Sequence, residues 1–299
     1  MAKLKDISRR IGSVANTRKT TKAMEMVAGA RLRRAQSRIE ALRPYAERMF
    51  ELMQEVAKHA NEGDQFPLLE VRDEIKRVGI VMLTGDRGLA GGFNSNIIRH
   101  GLILHDELVA EGKEVVWIVI GKKGVGTMRF RGFAVQESIQ GITDRPKYTD
   151  AEDIAHRIAT MYAAGGLDKV HLVYNHFKSP VEQIVTEQII LPLGKELVEA
   201  APEPVEEGAI KKLEGDFIYE PNASAILAGL LPTYVDTTIY RALLESTASE
   251  HGARMTAMRN ASDNAEEMID KLTLDMNKAR QAAITQDILE VVAGAEALG

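Results

Sequence analysis

Residues 21–38 read TKAMEMVAGARLRRAQSR, five Lys and Arg against the single acid Glu25, set among methionine, alanine, valine and leucine. Spacing decides what this stretch is. Stepping outward in alternating intervals of 4 and 3 gives Ile7, Ile11, Val14, Arg18, Thr21, Glu25, Ala28, Leu32, Ala35, Ile39, Leu42, Ala46, Met49, Met53 and Val56, and twelve of these fifteen are apolar. A seam that recurs every 3.5 residues on average is the heptad pattern of a left-handed coiled coil, so residues 1–60 need a partner helix. Pro44 is expected to kink or divide the first helix.

The partner stands at the other end of the chain. No proline follows Pro232, and Leu244, Ala248, His251, Met255, Met258, Ser262, Ala265, Ile269, Leu272, Met276, Ala279 and Ala283 repeat the spacing with ten of twelve apolar. Residues 222–299 therefore read as a second long helix, antiparallel to the first. Between the two, RVGIVMLTGD (77–86), VVWIVIG (115–121) and KVHLVYNHF (169–177) are short β-branched runs separated by amphipathic stretches near 94–111 and 150–164. That alternation predicts βαβ units and a mostly parallel sheet, a Rossmann-like α/β domain over 75–198, with VEQIVTEQIIL (181–191) as an edge strand. The proline-rich, acidic stretch 199–221 reads as an exposed loop.

Charge is divided unevenly. Residues 1–59 hold 14 Lys and Arg against 6 Asp and Glu, whereas the whole chain carries a net charge of −5. A basic helix of this kind suits nucleic acid, an acidic protein surface or simple solvation, and charge alone does not choose among them. The absence of cysteine excludes disulfides, thiolate catalysis and zinc–thiolate sites. No apolar run is long enough for a bilayer crossing and no signal-peptide core opens the chain, so a cytosolic protein, or one that meets a membrane only through partners, is expected.

Two turns invite a phosphate reading. TGDRGLAGGFNSN (84–96) and GKKGVG (121–126) each follow a strand, where α/β proteins hold phosphates. The first lacks the Gly-Lys-Ser/Thr ending of a P-loop, its glycines do not fit G-x-G-x-x-G, and a tight structural turn is the better reading of both. A dinucleotide-binding enzyme is thereby disfavoured. No H-E-x-x-H or G-x-S-x-G occurs, and His251 on the helical seam reads as a packed residue. Met24, Met26, Met49 and Met53 read as seam filling.

Three stretches together carry a resemblance: LKDISRRIGSVANTRKTTKAMEMVAGARLRRAQ at the start, GDRGLAGGFNSN in the middle, and ASEHGARMTAMRNASDNAEEMI with NKARQAAITQDILEVVAGAEA at the end. In order and spacing the chain resembles the gamma subunits of bacterial F-type ATP synthases. Asp287 stands where that family usually has Glu, and Ala90 where it frequently has Cys. The resemblance implies a non-catalytic rotor shaft with no cofactor, metal or nucleic-acid partner, working with alpha and beta subunits, epsilon and a c-ring. It is expected at the cytoplasmic side of the cell inner membrane, touching the membrane only through the c-ring. It maps coupling to beta onto Met24, Glu250, Arg254, Arg280, Gln281 and Thr285, makes Arg31, Arg33 and Arg34 rotating cationic contacts, and places Tyr219 and Glu220, in FIYEP (217–221), at a foot beside the c-ring and epsilon. The polar seam positions Arg18, Thr21 and Glu25 then read as a stretch where the coil loosens toward its ring. ILEVVAGAEALG (288–299), apolar on every side, reads as a tip turning in an apolar sleeve.

Overall fold

The structure is a computed structural model and describes residues 2–60, 66–193 and 219–296. Helix α1 (Ala2–Lys58) is followed by β1 (Arg77–Leu83), α2 (Phe93–Ala110), β2 (Glu114–Ile120), α3 (Lys122–Phe130), β3 (Val135–Ile139), α4 (Tyr148–Ala163), β4 (Lys169–Phe177), β5 (Gln183–Leu191) and α5 (Ala223–Glu296). These elements make two compact units, one of Ala30–Ala253 and one of the chain up to Gly29 with the chain from Arg254 onward.

The larger unit is built on a five-stranded sheet in the order β3-β2-β1-β4-β5, parallel except for β5. Its central strand β1 is buried from Val78 to Leu83, the continuous apolar run expected of a strand covered on both faces. Alternation sorts the side chains. Val81, Leu83, Ile118, Ile120, Leu172 and Tyr174 point to a core shared with Ile154, Ile158 and Tyr162 of α4, Met53 and Val56 of α1, and Leu227 to Leu243 of α5. Ile80, Met82, Trp117, Val119 and Val173 face Phe93, Ile97 and Leu104 of α2 and Met128 of α3. Both terminal helices therefore cover one face of the sheet.

Pro44 lies inside an unbroken α1, so it does not divide the helix. It and Glu40, whose carbonyl loses its usual N–H partner, are both exposed, and water can take the vacant bond. The reading by period also missed α3 and β3. α3 carries Gly124 and Gly126 in nine residues, and β3 is a five-residue edge strand, VQESI.

In the smaller unit α1 and α5 pair along the expected seam, with Ala28, Met258, Ser262 and Ala265 buried. The polar seam positions correct the expectation of a loosened coil. Thr21 Oγ1 and Ser262 Oγ lie 2.7 Å apart, Arg259 donates to Glu25 at 3.1 Å, and Arg18 pairs with Glu266 at 2.8 Å. Polar groups on one helix meet polar groups on the other, and these directional bonds set register where apolar contacts cannot. Lys22 also holds the Glu25 carboxylate at 3.0 Å. With the Lys22 bond leading and Arg259 adding to it, the Glu25 pKa falls below the usual glutamate range despite burial.

Candidate coupling surface

In an open α/β sheet, ligands enter the crevice at the carboxyl ends of the strands, where strand order reverses. Here that point lies between β1 and β4, and α5 fills it. Ser249 Oγ donates to the carbonyl of Asn175 at the end of β4 (3.1 Å), and Glu250 is 3% exposed. Gly85, just past β1, leaves room for it: a Cβ there would meet the Glu250 carboxyl at 2.8 Å. Thr247 Oγ1 donates to the carbonyls of Thr143 (2.9 Å) and Leu243 (2.7 Å), and His176 Nδ1 and Arg241 Nε hold the buried Glu245 carboxylate at 2.6 and 2.8 Å.

The second phosphate-like turn, at the start of α3, is likewise filled from within, by an acid of the first. The Asp86 carboxylate accepts the N–H of Lys122, first residue of α3, at 3.0 Å, with the N–H of Gly141 (2.9 Å) and the N–H and hydroxyl of Thr143 (3.3 and 3.0 Å). An anion already sits where a phosphate would bind, and it belongs to the chain. Burial pushes the Asp86 pKa up, but the Gly141, Lys122 and Thr143 bonds outweigh it and hold the group below the usual aspartate range. Gly121, at φ +97°, would bring a Cβ within 2.1 Å of the Thr84 carbonyl oxygen, so close strand packing demands that glycine.

The residues expected to face a partner divide into two sets. Arg33, Arg34, Arg280, Gln281 and Thr285 are exposed, as is Glu220; Met24 and Tyr219 are half-buried. Arg31 is half-buried and donates to Asp144 of the β3–α4 loop, while Glu250 and Arg254 are buried in the chain's own packing. Near its end α5 exposes Ile284, Ile288, Leu289 (63%), Val291 (73%) and Val292. Phe217, Ile218, most of the acidic stretch 199–221, and residues 297–299 of the tip lie outside the described residues. Sequence reading missed Asp86 and Asp144, whose partners are distant in the chain; the only local hint was an acid beside the glycines of TGDRG.

Comparison with known proteins decides the family. The ATP synthase family profile matches residues 3–298. The ATP synthase gamma chain of Moorella thermoacetica is 45% identical over 298 residues, covering all of both chains, and that of Rubrobacter xylanophilus is 44% identical over 299 residues, covering 100% and 99%. The chain belongs to the ATP synthase gamma-chain family. Among solved structures, a chain of the Tetrahymena thermophila mitochondrial ATP synthase central stalk and c-ring is 28% identical with a TM-score of 0.58, covering 81% of this chain and 99% of that one. A chain of the Euglena gracilis mitochondrial enzyme in a rotational state shares the fold, with a TM-score of 0.67 at 16% identity, covering 99% and 95%. Gamma-chain family membership makes sense of a phosphate-like domain whose crevice is closed by its own helix. Among the described residues no helix is long and apolar enough to cross a membrane.

Proposed function

We propose that the chain is the central rotor shaft of a proton-driven F-type ATP synthase, a non-catalytic subunit that couples turning of a c-ring to conformational change at catalytic beta subunits. Full-length likeness to ATP synthase gamma chains carries this reading. Geometry adds the mechanism. A single shaft inside a ring of three beta subunits meets each one differently, and only such differential contact can hold three sites in three states. Turning the shaft then exchanges those states.

In this reading Arg33, Arg34, Arg280, Gln281, Thr285 and Met24 offer the contacts to beta, since their side chains are exposed or half-exposed. Glu250 and Arg254, being buried, act by fixing the position of α5. Tyr219 and Glu220 belong to a foot on the c-ring beside epsilon, and the complex works from the cytoplasmic side of the cell inner membrane with this subunit peripheral to it. Native purification through a tag on this chain, followed by a rotation assay, tests the proposal. Alpha, beta, epsilon and c subunits should co-purify, and a bead on the α/β domain should turn on ATP addition. Recovery of the chain alone, or a complex whose bead stays still during hydrolysis, contradicts it.

A further inference from the structure

The β3–α4 loop, residues 140–147, reaches both terminal helices within the Ala30–Ala253 unit. Asp144 accepts Arg31 of α1, and the same carboxylate oxygen stands 3.9 Å from Nε2 of His251 on α5, a ring only 2% exposed. One residue earlier, the Thr143 carbonyl accepts the Thr247 hydroxyl of α5. Two residues later, the Pro146 carbonyl accepts Arg38 of α1, whose Nη2 also donates to Tyr240 of α5 at 3.0 Å. The loop thus bonds α1 at two levels and α5 at Thr247, with His251 of α5 close beside Asp144.

The loop is itself held. Asp86 accepts the backbone of Gly141 and both donors of Thr143, donates its own N–H to Thr143 Oγ1 (2.9 Å), and is tied to α3 through Lys122. A chain of bonds therefore runs from the sheet, through Asp86 and Thr143, to the two helices. On α1 the seam beside these contacts is Leu32 and Ala35, both buried. Apolar contact is non-directional, and a small alanine gives a facing helix little to interlock, so the seam alone opposes rolling of α1 about α5 only weakly. Hydrogen bonds and a charged pair do oppose it, because each loses its geometry after a displacement of well under 1 Å.

We propose that this loop is a torsional splint, with Asp144 the positioning residue that locks the roll of α1 against α5 through Arg31; the inference rests on the rotor reading above. Arg31 is then a part of the shaft's stiffness, whereas Arg33 and Arg34, on the same turn, face outward.

The test uses the assembled complex with its catalytic head immobilised and a bead on the α/β domain, recording the bead's angular variance in a stalled state. Arg31→Gln and Asp144→Asn should each raise that variance by about twofold, as when one of two comparable restraints in parallel is released, and the double variant should rise no further because the two act through each other. If Asp144→Asn fails to assemble, Arg31→Lys, which keeps the charge but loses the guanidinium fork, should still raise the variance. Unchanged variance in an assembled variant, or additive increases in the double, overturns the splint. Failure of the rotor reading looks different: the wild-type bead itself would not turn.

Discussion

Two parts of the single helix α5 invert the usual rule of burial. From Ala242 to Arg254 every residue is buried, although this part contains Glu245, Ser246, Thr247, Ser249, Glu250, His251 and Arg254. From Ile284 to Val292 the described side chains are exposed, although Ile284, Ile288, Leu289, Val291 and Val292 are among them. Buried polar groups and exposed apolar ones are the informative cases, since each needs a partner. The first part has found its partners within the chain, in His176, Arg241, Thr143 and Asn175. The second part leaves these apolar side chains exposed in the chain by itself, and the rotor reading proposed above would cover them with an apolar sleeve of the ring.

The comparison breaks most easily in the buried part. Leu244→Ala removes a side chain that is 1% exposed and should lower the stability of the isolated chain by about 2–5 kcal/mol in denaturant unfolding. Thr247→Val keeps the shape but leaves the Thr143 carbonyl without its hydroxyl donor, and should cost about 1–3 kcal/mol in the same assay.

Two carboxylates on the terminal helices sharpen the contrast through pH, with opposite signs. Glu25 has a lowered pKa in the folded chain, so its contribution to stability is complete above the ordinary glutamate pKa and is lost as pH falls through the folded value. Glu25→Gln should therefore weaken the chain at neutral pH and flatten the acid limb of its stability curve. Asp236 is raised to about 6, first by burial and then by the nearby charge of Glu152. Its ionised form is a penalty in the folded state. Asp236→Asn should stabilise the chain above pH 6, with the gain fading toward the unfolded aspartate pKa of about 3.9. Thermal melts across pH check both.

The smallest effect is expected at the tip. Ile288→Ser with Val292→Ser should leave the isolated chain within about 0.5 kcal/mol of wild type, because neither side chain is buried in it. The same pair should weaken assembly with the catalytic head, and a loss of stability in the isolated chain would mean that the tip packs at home.

Periodic features were legible in the sequence and pairwise ones were not. Ala28, Leu32, Ala35, Met49, Met53 and Val56 are buried where the heptad count puts them, and the β-branched runs at 77–86, 115–121 and 169–177 coincide with β1, β2 and β4 to within a few residues at the ends. Both signals repeat, so one error does not hide them. The Arg31–Asp144 pair spans 113 residues and the Thr21–Ser262 pair 241, and no local pattern announces such a partner. For the same reason Arg31 reads from sequence like Arg33 and Arg34, although only the latter two are exposed. Thr21 and Glu25 looked like flaws in a seam because the matching Ser262 and Arg259 lie on the other helix.

Solvent footprinting by hydroxyl radicals, read residue by residue in the isolated chain and in the assembled complex, tests the central claim most directly. The account predicts strong labelling of Ile284, Ile288, Leu289, Val291 and Val292 in the isolated chain and clear protection on assembly, while Leu243, Leu244 and His251 stay protected in both. Tip residues labelled equally in the two states, in complexes that still turn, would contradict it.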